Sequence, residues 1–306
     1  MLRVVVPALN EAENLRVLVP RIVPEIDLFA PGGGVLVVDD GSSDDTGKVM
    51  AELMAELPSV ELITLRHNLG KAAALQRGFE AALEDGARVV AMMDADGQDD
   101  PRELGRLLEA VEQGADLVTG ARLQRQDRLV KRHTSRLYNR ATGMLSGAPG
   151  RDFNSGFKMM RAGVAADVSP MLYGEMHRYL TVIAHGLGYR VTEVPVEHHP
   201  RMSGSSKYGL ARFWRGFVDL LTVRFLLSYE HRPSHLFSAV GATSLLLGML
   251  TLGYLTVVKL TGQPIGERPL LLAGVLFVVV GVQLVLFGLL AELVVNARNR
   301  GTERRT

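Results

Sequence analysis

The 306-residue sequence contains no cysteine. That removes disulfides, thiolate catalysis and cysteine-based metal sites together, and it fits a reducing compartment. A dominant charge is missing as well. The 34 Lys and Arg against 33 Asp and Glu leave a formal net charge of +1, which argues against nucleic acid as a partner. Tryptophan occurs once, at Trp214. Glycine is plentiful, but not where a phosphate loop needs it. Gly32–Gly34 precedes its strand, the wrong order for a Gly-x-Gly-x-x-Gly turn, and Gly70-Lys71 lacks the upstream Gly and following Ser/Thr of a P-loop. Any phosphate is then held by a metal and basic side chains. No signal peptide is expected, because the strand-like run Leu2–Val6 soon meets Asn10, Glu11 and Glu13.

What the chain does have is centred on Arg88 to Pro101. Five apolar residues, Val89–Met93, read as a short strand buried on both faces. Asp94, Asp96, Asp99 and Asp100 follow at once. In an extended chain Asp94 and Asp96 project to one side, roughly 6.5–7 Å apart. They repel unless a cation or donor groups lie between them, and Gln98 continues the spacing with a neutral oxygen. Hard oxygen donors of this kind suit Mg²⁺ or Mn²⁺, usually shared with substrate phosphates. With neither Cys nor His in the stretch, zinc is disfavoured. Taken by itself, the same stretch reads equally well as an acidic turn capping a helix that starts near Arg102.

With 47% hydrophobic residues the chain can bury a large core and hold more than one structural region. Up to about residue 120, short apolar strands alternate with amphipathic helices. Strands are expected at Leu2–Val6, Val35–Val38, Glu61–Leu65, Val89–Met93 and Asp116–Thr119. Helices are expected from Asn10 to the Pro24 region, from Gly47 to Leu57, over Lys71–Glu84, and from Arg102 through Gly114. This order implies an α/β, doubly wound, mostly parallel sheet. Ligands bind such sheets beyond the carboxyl ends of the strands. The polar clusters Asn10/Glu11, Asp39/Asp40, Asn68 and Asp94/Asp96 all fall there.

Farther on, Arg122–Arg140 holds six Arg and one Lys, either a solvated face or an anion-binding one. Asp152–Lys158 reads as a turn into a strand, Glu175–His185 as a helix and Tyr189–Val196 as a strand. Arg201–Tyr208 is a Gly/Ser loop carrying Arg201 and Lys207, a linker or a lid over a diphosphate. Tyr208–Tyr229 is amphipathic, with Arg212, Arg215 and Asp219 on one face and Trp214 among apolar residues, as in a helix lying at a bilayer surface. Two uncharged runs, Leu236–Val258 and Pro269–Leu290, each reach the about 20 residues that span a hydrocarbon core. Their connector carries Lys259 and Arg268, whereas the flanks carry Arg224, Arg232, Arg298, Arg300, Arg304 and Arg305. The positive-inside rule then places both termini and the N-terminal domain in the cytoplasm, on a multi-pass inner-membrane protein. The expected domains are 1–207, an interfacial helix and linker at 208–232, a transmembrane hairpin at 233–292 and a basic tail at 293–306.

Several strings carry a family resemblance. VVVPALNEAENL at 4–15, VVDDGSSDDT at 37–46, NLGKAAALQRGF at 68–79 and MDADGQ at 93–98 resemble family 2 glycosyltransferases of the GT-A fold. DFNSGFK at 152–158 and RMSGSSKYG at 201–209, followed by a hairpin, narrow this to the polyprenyl-phosphate glycosyltransferases, the group of dolichol-phosphate mannosyltransferase and GtrB-like enzymes. The resemblance implies inverting, metal-dependent transfer of one sugar from a nucleotide-sugar, of GDP-mannose or UDP-glucose type, to a polyprenyl phosphate such as undecaprenyl or dolichyl phosphate. It implies that Pro7, Asn10, Glu11, Asp39, Asp40, Lys71 and Ala95 line the nucleotide-sugar. Asp94 contacts the nucleotide, and Asp96 and Gln98, beside Asp94, hold Mg²⁺ or Mn²⁺. Arg122, Arg201 and Lys207 take phosphate oxygens, and Asp152 orients the acceptor or a cation. Gly97 and Asp99-Asp100 depart from the bulkier, less acidic residues usual there.

Rival functions leave traces too. A processive polysaccharide synthase carries Gln-x-x-Arg-Trp, but Arg212-Phe213 precedes the single Trp214. A transferase acting on a lipid hydroxyl needs a general base that no residue clearly supplies. A membrane-anchored module without activity would be expected to have lost Asp96 or Lys207. Self-association is left open.

Overall fold

The computed structural model describes residues 1–122, 140, 142–144, 146–199, 222, 233–266 and 269–303. Arg201, Lys207, the basic residues between Arg122 and Arg140, and the amphipathic segment apart from Thr222 lie outside the described residues. The chain divides into two compact units, Met1–Arg224 and Phe225–Thr306.

The first unit is built on β1 (Leu2–Ala8), α1 (Ala12–Phe29), β2 (Gly34–Asp39), α2 (Thr46–Glu56), β3 (Val60–Thr64), α3 (Lys71–Glu84) and β4 (Val89–Met92). It continues with α4 (Leu104–Glu112), β5 (Leu117–Ala121), β6 (Lys158–Arg161), α5 (Ala162–Val168), α6 (Leu180–Gly186) and β7 (Val191–Pro195). One seven-stranded sheet runs in the order β3-β2-β1-β4-β6-β5-β7. Only β6 runs against the others, pairing antiparallel with β4 and β5.

The strand sequences explain the layering. In β1, Val4 and Val6 join the core formed with Leu15, Leu18 and Ile22 of α1 and Leu107 of α4. Val5 points to the other face, toward Gly78 of α3, where an added Cβ would collide with it. Both faces are therefore covered, and the runs are continuously apolar instead of alternating. The helix expected to end near Pro24 continues to Phe29. Pro20 and Pro24 each remove one intrahelical bond, but both are exposed, so water can take up the freed carbonyls. The buried stripe Leu15, Leu18, Val19, Ile22, Val23 and Ile26 carries the helix past them.

The second unit is a helical pair, α7 (Pro233–Leu260) and α8 (Pro269–Glu303). Its centre is made of glycine. A Cβ at Gly241 would come within 2.8 Å of the Gly281 carbonyl oxygen, and one at Gly248 within 2.9 Å of the Gly274 carbonyl oxygen. Ser244 Oγ donates to the Phe277 carbonyl at 2.8 Å across the same contact. Large apolar side chains face outward instead: Leu246 is 54% exposed, Val257 60% and Leu272 79%. Phe237–Leu260 and Pro269–Leu293 are long and apolar enough to cross a membrane.

Candidate active site at the carboxyl edge of the sheet

The parallel strands β1, β2, β3 and β4 deliver their following loops to one edge, and those loops bond to each other. After β1 the chain turns at Asn10, the one non-glycine residue with positive φ (57°) among the described residues. Asn tolerates this conformation. Here its Oδ1 accepts from Ser43 N at 2.8 Å and its own N–H donates to Ser42 Oγ at 2.8 Å. Glu11 N donates to Thr46 Oγ1 at 3.3 Å, and the Asn14 amide donates to the Glu11 carboxylate. Asp39 accepts from Ser42 N at 2.9 Å. Asp40 clamps the next loop, accepting from Leu69 N at 2.7 Å and Gly70 N at 2.9 Å. Pro7, Asp39 and Asp40 are buried, whereas Asn10 is exposed.

Gly70 (φ 93°) precedes α3, so Lys71 opens that helix at the same edge. Its ammonium forms an ion pair with Asp94, which follows β4. Gly156 packs against that carboxylate so closely that a Cβ there would overlap it. Burial pushes the Asp94 carboxyl up, but Lys71 more than reverses this, so it titrates below the usual range. The chain then turns at Ala95 and Asp96. This corrects the extended geometry expected from the Asp-x-Asp spacing. Gly97 takes φ 68° and Gln98 N donates back to Asp96 Oδ1 at 3.2 Å, so the tight turn replaces the extended chain. Gln98 Nε2 donates to the His199 carbonyl at 3.3 Å. No donor reaches its Oε1 among the described residues. The oxygens of Asp96 and Gln98, beside Asp94, therefore suit a hard divalent cation by donor type.

Asp100 does what an acidic turn does. Fully buried, it caps Pro101–Glu103 by accepting from Arg102 N at 3.1 Å. It also pairs with the Arg102 guanidinium at 2.6 Å and His199 Nε2 at 3.0 Å. The Arg102 bond is the main cause holding its carboxyl far below the ordinary value. Asp100, Glu197 and His199 also place ligand atoms within 4.8 Å of one another, a group able to hold a metal ion. Residues 98–100 and 198–199 are further joined by an isolated bridge between Asp99 and His198.

The third part of the edge surrounds β6. Arg122, at the end of β5, reaches Asp152 at 2.7 Å through Nε and 3.1 Å through a terminal nitrogen. Burial lowers the Arg122 pKa and Asp152 more than restores it, so the guanidinium stays charged. The expected phosphate ligand is thus engaged by the expected acceptor-orienting carboxylate. Glu193 on β7 holds the adjacent loop, accepting from Arg151 N at 2.6 Å and Asp152 N at 2.8 Å.

A model of glycosyl transferase family 2 matches residues 3–169. The chain belongs to that family. Among its relatives it is 34% identical over 305 residues to dodecaprenyl-phosphate galacturonate synthase of Rhizobium johnstonii, covering 98% of this chain and 89% of the relative. It is 33% identical over 294 residues to undecaprenyl-phosphate 4-deoxy-4-formamido-L-arabinose transferase of Edwardsiella ictaluri, covering 94% and 87%. The fold matches a mannosyltransferase from Pyrobaculum calidifontis solved with GDP-Man and Mn²⁺, at TM-score 0.52 and 19% identity, covering 73% of this chain and 62% of that one. It also matches Mycobacterium tuberculosis glucosyl-3-phosphoglycerate synthase solved with Mn²⁺ and UDP-glucose, at TM-score 0.54 and 21% identity, covering 73% and 78%. This family 2 glycosyltransferase therefore has the GT-A fold expected from its motifs.

Sequence reasoning passed over four residues at the edge of this glycosyltransferase. Gly156 and Lys158 belong to the DFNSGFK string and Glu193 to the strand-like run Tyr189–Val196, and nothing local marks any of them as part of a site. His177 was only a helix opener. Burial, then the cations Lys71 and Arg178, push its imidazole down to about 3, so it is neutral at physiological pH. Its Nδ1 is buried and has no hydrogen-bond partner among the described residues.

Proposed function

We propose that the protein transfers one sugar from a nucleotide-sugar to a membrane polyprenyl phosphate, with inversion, at the cytoplasmic face of the membrane. The observation that carries this is the similarity to two polyprenyl-phosphate sugar transferases over 94% of the chain or more, which spans both the polar edge and the two apolar helices. In this reading residues 1–207 are the catalytic domain, 208–232 lie at the interface, 233–292 are the transmembrane hairpin, and both termini are cytoplasmic.

The donor occupies the edge formed by Pro7, Asn10, Glu11, Asp39, Asp40, Lys71 and Ala95. Asp94, Asp96 and Gln98 would hold Mg²⁺ or Mn²⁺, which supplies positive charge to the diphosphate leaving group. Lys71 and Arg122 stand close to the same carboxylates, and Arg201 and Lys207 complete the phosphate contacts. The attacking phosphate needs no protein base, because its second pKa is about 6 and it is largely dianionic at neutral pH. The site fits that requirement: His177, with its pKa near 3, is a poor proton acceptor. Placement and charge compensation then do most of the chemistry. For the sugar, the GDP-mannose or UDP-glucose type is the expectation from the motifs, and the relatives' galacturonate and formamido-arabinose widen the panel to test.

The second reading is transfer to a lipid hydroxyl. One experiment separates the two: incubate membranes with radiolabelled nucleotide-sugars and undecaprenyl phosphate, and follow label into an organic-soluble product. A glycosyl phosphate releases its sugar in mild acid. An acid-stable glycoside would favour the hydroxyl acceptor, and no lipid product from any donor would overturn both.

A further inference from the structure

Lys158 is the first residue of β6 and is fully buried. Because β6 is antiparallel, that first residue pairs with Met92, the last of β4, and with Thr119 of β5. It therefore stands under the polar edge. Its ammonium donates to the Ser155 carbonyl at 2.7 Å and the Phe153 carbonyl at 3.2 Å. Both carbonyls belong to the loop that carries Asp152 at one end and Gly156 at the other. Asp152 engages Arg122, and Gly156 packs on the Asp94 carboxylate. One side chain thus fixes the segment connecting the two halves of the site.

We propose that Lys158 is a positioning residue for sugar transfer, a buried ammonium that holds the 152–156 loop so that Gly156 seats Asp94 and Asp152 seats Arg122. An apolar side chain would fill the same space without the desolvation cost of a charge. What it could not do is tie down two carbonyls or set a positive charge beside a site that binds phosphates. The charged groups around it are Asp152 and Glu193, which favour its protonation, and Arg122 and Lys71, which oppose it. Burial outweighs the carboxylates and brings the ammonium down to about 8. The inference rests on the transfer reading above, but it concerns residues of this chain alone.

The test compares full-length wild type with Lys158→Met and Lys158→Arg in the same membranes. Four readouts are taken: transfer to undecaprenyl phosphate, slow hydrolysis of the nucleotide-sugar without acceptor, nucleoside diphosphate binding, and the thermal midpoint. In Lys158→Met, kcat falls about 100-fold, the size expected when reacting groups are misplaced by about 1 Å. Its nucleoside diphosphate affinity stays within error of wild type, and the kcat loss persists at temperatures well below its thermal midpoint, where the variant is fully folded. Wild-type kcat declines above about pH 8, whereas Lys158→Arg, whose guanidinium keeps its proton, retains activity there. Wild-type kcat in Lys158→Met, or a loss that merely follows a lowered thermal midpoint, overturns the proposal. An alkaline limb identical in wild type and Lys158→Arg overturns the charge requirement. If wild type hydrolyses donor but does not transfer to polyprenyl phosphate, the acceptor reading fails, and the same comparison of variants is read from hydrolysis.

Discussion

In the sheet unit the large apolar side chains turn inward and the polar residues gather along one edge. In the helical pair the arrangement is reversed: glycines occupy the interior and leucine, valine and phenylalanine cover the outside. The same property, a residue without a side chain, serves both. Gly156 lets a loop press on a carboxylate, and Gly241, Gly248, Gly274 and Gly281 let two helix backbones approach. The comparison separates two jobs. Substitutions along the polar edge should change chemistry without unfolding the protein, and substitutions between the helices should change stability or acceptor use without touching donor binding.

The largest effect is expected at Asp96. Asp96→Asn removes a negative charge from the proposed cation site and should lower transfer by about 100- to 1,000-fold, the range for losing one electrostatic stabiliser. The thermal midpoint should hold, and added Mn²⁺ should no longer stimulate turnover. Near-wild-type, EDTA-sensitive turnover would remove Asp96 from the metal. Next comes Gly156→Ala, whose methyl group would force the Asp94 carboxylate from its place beside Lys71. A kcat loss of about 10- to 100-fold with a raised donor KM is expected, since Asp94 serves both nucleotide and metal in this reading. An unchanged kcat would mean that the loop yields instead.

In the helical pair, Gly248→Leu sets a large side chain against the Val278 and Gly274 backbone. Overpacking of this kind costs about 1–3 kcal/mol. It should lower transfer to long-chain polyprenyl phosphate several-fold and leave a short, soluble prenyl phosphate unaffected. Equal loss on both would show that the two units are not separable in function.

The smallest effect is expected at Asp100. Its folded pKa lies below the unfolded value, so its contribution to stability is present above about pH 4 and is lost as the pH falls below that. Asp100→Asn should therefore cost about 1.5–3 kcal/mol near neutrality, a typical value for a charged hydrogen bond. The gap from wild type, read by thermal melts, should close on acidification.

Much of the sheet unit was legible from sequence. Apolar runs covered on both faces mark β1, β2 and β4 whatever the tertiary detail, and Lys71–Glu84 was read to the residue. The carboxyl-edge clusters followed from strand–helix alternation alone. What could not be read were contacts made over distance. Nothing local says that Arg122 meets Asp152, or that Lys158 at a strand's start is fully buried beneath a loop. The direction of β6 was equally hidden, since Asp152–Lys158 leads into a strand without saying which neighbours it joins. At the Asp-x-Asp stretch, Gly97 permits the positive φ that an extended reading overlooks. The glycines of the helical pair read only as part of apolar runs, because their meaning lies in the opposing backbone.

The central claim is that this edge transfers sugar by placing and neutralising phosphates, with the acceptor bringing its own nucleophilic charge. The most direct measurement is kcat/KM against pH for undecaprenyl phosphate and for its phosphonate analogue, whose second pKa is higher. With the phosphate the rate should rise through about pH 6 and hold until the alkaline decline expected for Lys158 above about pH 8, and with the phosphonate the rising limb should move up by the difference in acceptor pKa. A limb that stays in place when the acceptor is changed would mean that a group on the protein removes a proton, and would contradict the account.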